Sequence, residues 1–86
     1  MKLKQEFILR NIAGDNLLVP VRGLGDSFNG LITLNETGTF IYKQIEMEKD
    51  EGEIVMALME EYNVTQEKAT EDVEAFCDNF RRLNIL

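Results

Sequence analysis

Histidine and tryptophan are absent from this 86-residue chain, and cysteine and proline each occur once. Without histidine there is no imidazole to serve as a general base or metal ligand, and the lone Cys77 can form neither an internal disulfide nor a zinc thiolate set. No paired-carboxylate or nucleophile constellation takes their place, so neither a metal nor a cofactor nor a catalytic residue is expected, and the chain reads as a non-enzyme. No apolar stretch approaches the roughly 18 residues that cross a bilayer. The opening "MKLKQEFILR" has only Phe7, Ile8 and Leu9 as an apolar run before Arg10, too short for a secretory signal. No membrane partner and a cytoplasmic location are the expectations. Positive charge is also scarce: nine Lys and Arg stand against sixteen Asp and Glu, a net charge of −7.

What is present is a globular composition, 44% hydrophobic and 29% charged, in a length that builds one domain (residues 1–86) around one modest core. The charge is unevenly spread. From Glu46 to Asp78 there are twelve acidic residues against Lys49 and Lys68, a local −10. Such a surface repels phosphate backbones, so nucleic acid is not an expected partner.

Along the chain the hydrophobic period changes once. "EFILRNI" and "LLVPV" are short, β-branched and apolar, and Ala13-Gly14-Asp15-Asn16 between them is a turn composition, which together predict a β-hairpin. Pro20 cannot donate to a ladder, so its strand should be an edge or be bulged there. Gly23, Gly25, Asp26 and Ser27 read as a loop before a third strand spanning roughly Phe28 to Leu34. After Leu34 the period becomes helical, with Asn35 or Thr33 as N-cap and Thr33 with Glu36 at capping-box spacing. A first helix to about Glu46 should bury Ile41 and Ile45. A second, opening near Asp50, should place Ile54, Val55, Leu58, Met59 and Tyr62 on one side before Asn63 and Val64 break it. Thr65 should cap a third, with Ala69, Val73, Phe76, Cys77, Phe80 and Leu83 as its apolar stripe. The prediction is an α+β fold: a three-stranded antiparallel β-sheet followed by three α-helices, the content of a winged helix-turn-helix-like domain.

The segments "LNETGTFIY", "EIVMALMEEYNV" and "EDVEAFCDNFRRLNIL" resemble, in order and spacing, the PqqD-like family, small domains also called RiPP recognition elements. The resemblance covers about residues 5 to 86. It rests on Leu34-Asn35-Glu36, Ile41 beside an aromatic, the Ile54, Leu58, Tyr62 and Val64 series, Asp72-Val73, Phe76, Leu83 and the closing Ile85-Leu86. It departs at Tyr42, often Trp in the family, and at Asn84, often Gly. The resemblance implies a non-catalytic domain that captures the leader segment of a ribosomally made precursor peptide and presents it to a modifying enzyme, often a radical-SAM protein.

Physical reasoning supports a peptide site independently, because a three-stranded sheet leaves a free edge that accepts an extended peptide as a further strand. The expected peptide-binding residues are Gly30, Leu31, Ile32, Thr33 and Leu34 on the third strand and Asp72, Val73, Phe76, Asn79 and Phe80 on the third helix. Phe76 and Phe80 would receive apolar leader side chains, and Asp72 a leader N–H or cation. The free edge also leaves a homodimer through that strand open. Two other readings share parts of the pattern. A winged-helix DNA-binding regulator should have a basic reading helix, whereas Thr65 to Asp78 carries five acidic residues and Lys68 alone. An acyl or peptidyl carrier protein is suggested by "GDSF" (Gly25 to Phe28), but its serine needs a long helix before it, where this chain is strand-patterned. Cys77 beside Phe76 reads as a buried inert thiol, and Asn35 and Asn63, although in Asn-X-Thr sequences, as helix caps.

Overall fold

The computed structural model describes residues 1–21 and 30–86. The Gly23 to Ser27 loop, the "GDSF" serine and the Phe28 start of the third strand lie outside the described residues. Within them the chain runs β1 (Phe7–Ile12), β2 (Asp15–Pro20), β3 (Ile32–Leu34), α1 (Glu36–Glu46), α2 (Glu51–Tyr62) and α3 (Gln66–Arg82). The sheet is antiparallel in the order β1-β2-β3, so the α+β fold is the one its hydrophobic periods predict. The two strands before residue 25 also remove the long helix that a carrier protein would need.

The hairpin closes through two residues only, Ala13 at φ 52° and Gly14 at φ 86°. Positive φ at both central positions matches the right-handed twist of the flanking strands. Glycine takes that conformation freely, whereas alanine meets its own Cβ there at a cost of about 1–2 kcal/mol. Ala13→Asn is therefore expected to raise the stability of the domain by roughly 0.5–1 kcal/mol, since asparagine tolerates the left-handed region. Urea unfolding of the two proteins checks it, and a lower midpoint for the variant would show the turn to be of another type.

Two strand expectations need correction. Among the described residues the third strand is Ile32–Leu34: its ladder runs from Ile32 opposite Leu18 to Leu34 opposite Asn16, and Gly30 and Leu31, expected within the strand, precede it. Pro20 lies in the central strand, not in an edge strand. It sits opposite Phe7 at the end of β2, beyond the reach of β3, where a missing N–H takes no bond from a second neighbour.

Alternation sorts the sheet into two faces. Phe7, Leu9, Leu18, Ile32 and Leu34 turn toward the helices, with Leu18 wholly buried. Ile8 and Ile12 on the other face remain exposed. The helices begin where side-chain chemistry satisfies their first N–H groups. Asn35, rather than Thr33, caps α1: its Oδ1 accepts the Gly38 N–H at 2.7 Å, and its carbonyl accepts both the N–H and the hydroxyl of Thr39. Asp50 and Glu53 form a reciprocal capping box on α2, and Thr65 accepts the Lys68 N–H at the start of α3. The ends of α2 and α3 pass through left-handed residues, Asn63 at φ 51° and Asn84 at φ 61°. Asparagine is the non-glycine residue best suited to that region, which explains how this chain does without a glycine at position 84.

Two apolar clusters fill the interior. One joins the three helices through Ile41, Ile45, Ile54, Leu58, Ala69, Val73 and Cys77. The other joins the sheet to α1 and α3 through Phe7, Leu18, Leu34, Tyr42, Phe80 and Ile85. Cys77 belongs to the first, where burial, followed by the nearby Glu51, pushes its thiol up to about 11; it is a packing residue, protonated at neutral pH. Beyond α3 the chain folds back on Phe80, whose carbonyl accepts the Ile85 N–H, and the Ile85 carbonyl in turn accepts the Lys4 N–H at 2.6 Å.

Candidate functional site

The outer edge of β3 is unpaired among the described residues. Beside it the N-terminal turn of α1 and one face of α3 enclose an open groove of about 530 Å³. Asn35, Thr37, Gly38 and Ile41 line it from α1; Lys68, Asp72, Ala75, Phe76 and Asn79 line it from α3. The strand and the groove meet at Gly38. A Cβ there would stand 3.6 Å from both Leu34 Cδ2 and Phe76 Cε2, and 3.1 Å from the Asn35 Oδ1 that caps the helix. The absent side chain thus lets the end of β3, the start of α1 and the Phe76 ring approach one another closely.

The groove has an apolar centre with polar ends. Phe76 and Ala75 supply apolar surface from α3 and Ile41 from α1. Phe76 is half-buried and leans on Phe80, ring centroids 4.3 Å apart, so its position is held from behind. Toward the start of α3, Lys68 donates to Asp72 Oδ1 at 2.9 Å, one turn apart. The hydrogen bond to Asp72, more than its charge, raises the Lys68 ammonium above its ordinary pKa. Toward the end of the helix, Asn79 Oδ1 accepts a hydrogen bond from Arg82.

Of the residues predicted from sequence, the structure brings Asp72, Phe76 and Asn79 together in this groove. Asp72 lies there with its Oδ1 accepting a hydrogen bond from Lys68. Val73 and Phe80 are corrections: each is 1% exposed and belongs to the core, so neither offers a surface to a peptide. Phe80 packs on Tyr42 and Phe76, and its contribution is to hold the Phe76 ring in place. On the strand side, Ile32 is half-buried, Leu34 is buried against Phe76, and Thr33 is exposed on the opposite face. Gly30 and Leu31 are exposed just before the ladder begins, Leu31 at 64%.

Asn35, Thr37, Gly38, Ile41, Lys68 and Ala75 were missed as groove residues. A sequence signal existed for one of them. Glycine in the first turn of a helix, as in Glu36-Thr37-Gly38, weakens the helix and so points to a close approach. Among the described residues no group of three or more acidic or cysteine side chains could hold a metal ion, and no helix is long and apolar enough to cross a membrane.

The same architecture occurs among solved structures. The structure of TbiB1 in complex with the TbiA(beta) leader peptide superimposes with a TM-score of 0.78 at 22% sequence identity, covering 100% of this chain and 94% of that one. No curated protein matches the sequence. A family model does: residues 15–86 match coenzyme PQQ synthesis protein D (PqqD), and the chain belongs to that family.

Proposed function

We propose that residues 1–86 act as one peptide-recognition domain, a RiPP recognition element. It would take the leader segment of a ribosomally synthesised precursor as an added strand on β3 and present it to a modifying enzyme. The observation that carries the reading is the groove that opens at Asn35, where β3, its outer edge unpaired among the described residues, passes into α1, and that is lined at its centre by Phe76, Ala75 and Ile41. Membership of the PqqD family supports it, and so does the shared fold with TbiB1, a protein solved with a leader peptide bound. A radical-SAM protein is the enzyme class proposed, and the domain itself contributes binding rather than catalysis.

Magnitudes assign the work within the site. A three-residue edge offers an incoming strand roughly two to four backbone hydrogen bonds, at a net of about 0.5–1.5 kcal/mol each. Ordering a disordered peptide costs on the order of 2–5 kcal/mol. The two nearly cancel, so side chains seated in the groove, at about 1.5–3 kcal/mol apiece, must supply the affinity. The strand sets direction and register; Phe76 and its neighbours set how tightly the leader is held.

The alternative of a DNA-binding winged helix is disfavoured by the outer face of α3, where Glu67, Glu71, Glu74 and Asp78 are exposed. Titrating the cognate leader into isotope-labelled protein tests the proposal. The amide shifts are expected to concentrate in Ile32 to Gly38 and in Lys68 to Asn79. Shifts centred on β1 or on α2 would place the peptide elsewhere.

A further inference from the structure

The backbone groups that β3 presents at its open edge follow from the hairpin on the far side of the sheet. A two-residue turn with positive φ at both Ala13 and Gly14 is closed by a pair that exchanges both backbone hydrogen bonds, here Ile12 and Asp15. Along β2 the N–H and C=O groups then alternate, those of Asp15, Leu17 and Val19 directed to β1 and those of Asn16 and Leu18 to β3. The Val21 N–H, next in the odd series, donates to the Glu6 carbonyl at 2.9 Å, as that phase requires. Asn16 stands opposite Leu34 and Leu18 opposite Ile32, so Leu34 and Ile32 direct their own groups to β2. Thr33 between them turns both its N–H and its C=O outward, where no described residue bonds them. One position on, the Asn35 carbonyl is already taken by the N–H and hydroxyl of Thr39.

We infer that Thr33 sets the register of the bound peptide, and that the segment recognised carries apolar side chains two positions apart. This register rests on the peptide-strand reading above and adds which peptide residue goes where. An antiparallel strand collects both Thr33 bonds through a single residue, whose N–H donates to the Thr33 carbonyl and whose carbonyl accepts the Thr33 N–H. Directly opposed residues of a sheet point to the same face, so that central residue lies beside the Thr33 side chain, exposed on the face away from the helices. Many side chains serve there. Its two neighbours point to the helix side. The one before it comes beside Leu34, whose Cδ2 stands with the Phe76 ring around Gly38, and the one after it comes beside Ile32. A polar side chain seated against those apolar groups would be desolvated without a partner, so both neighbours are apolar. Both keep their own N–H on the outer side of the new strand, away from β3, and only the central residue needs its N–H to bind. The substrate is thus an extended apolar-any-apolar triplet with an N–H at its centre.

The test starts from a phage-displayed library of random dodecapeptides selected on the immobilised domain, the enriched peptide then being synthesised with blocked ends. Apolar residues at i and i+2 should dominate the enriched sequences, and the synthetic peptide should shift the amides of Ile32 to Gly38 and of Phe76 in the labelled protein. N-methylation of the residue between the apolar pair should weaken binding at least about tenfold, and N-methylation of either apolar residue by less than about threefold. Serine should act in the opposite pattern, weakening binding at least about tenfold at the apolar positions and by less than about threefold between them. In hydrogen exchange the Thr33 amide should be unprotected in the protein alone and protected with the peptide, while the Ile32 and Leu34 amides are protected in both. No enrichment, or a peptide that shifts β1 or α2 instead, would overturn the peptide reading of the groove and the register with it. Binding in the groove with apolar positions at another spacing, with central N-methylation harmless or with the Thr33 amide still unprotected would overturn the register alone.

Discussion

Phe80→Ala is expected to cost about 3–5 kcal/mol of stability, the usual range for deleting a buried aromatic ring. Phe80 is 1% exposed and lies where α3 meets both the sheet cluster and the ring of Phe76. It also sits against the Tyr42 ring, with centroids 6.5 Å apart, so removing it leaves a void facing two large side chains that cannot both collapse into it. A domain of this size holds only about 5–15 kcal/mol in all, so much of its stability would be lost. Chemical denaturation measures the loss directly. A drop below about 1 kcal/mol together with weakened leader binding would instead show Phe80 to be a groove surface, contrary to its burial here.

The second large effect is on binding and should leave the fold alone. Ala75 lines the groove yet is exposed on α3, so Ala75→Arg removes no core packing, and arginine is nearly as good a helix former as alanine. Asp72, three residues earlier and in the same groove, draws the guanidinium across the space a leader side chain would occupy. Leader affinity is expected to fall at least tenfold, about 1.4 kcal/mol, while the denaturation midpoint stays within about 0.5 kcal/mol of the parent. Isothermal titration with the cognate leader reads the first quantity. Unchanged affinity would mean that the peptide does not use the α3 side of the groove.

Most of the fold was legible because its signals are local. The opening of α2 near Asp50, the Thr65 cap and the turn at Ala13-Gly14 act through neighbours a few positions away, although Asp15 and Asn16, expected in that turn, pair with β1 as part of β2, and the period change at Leu34 needs no tertiary knowledge. The third strand was over-extended because its ladder stops at Ile32 opposite Leu18 although β2 runs on to Pro20, and nothing local at Gly30-Leu31 marks that stop. The groove was half legible for a related reason. A helical stripe at a period of 3.6 names the residues that face inward, but not which margin of the stripe another element covers. Phe76 and Phe80 are one turn apart and alike in sequence, yet the sheet closes over Phe80 and leaves Phe76 at the rim. The share of the site contributed by α1 was hidden because Thr37 and Gly38 have no chemistry that marks them until Phe76 is placed beside them.

The hydrogen bond between Lys4 and Ile85 brings the first and last turns of the polypeptide to one spot on the surface. A fold whose chain comes in and goes out side by side can be carried as a cassette: spliced into an exposed loop of a larger protein, it asks its host for two adjacent attachment points and no long tether.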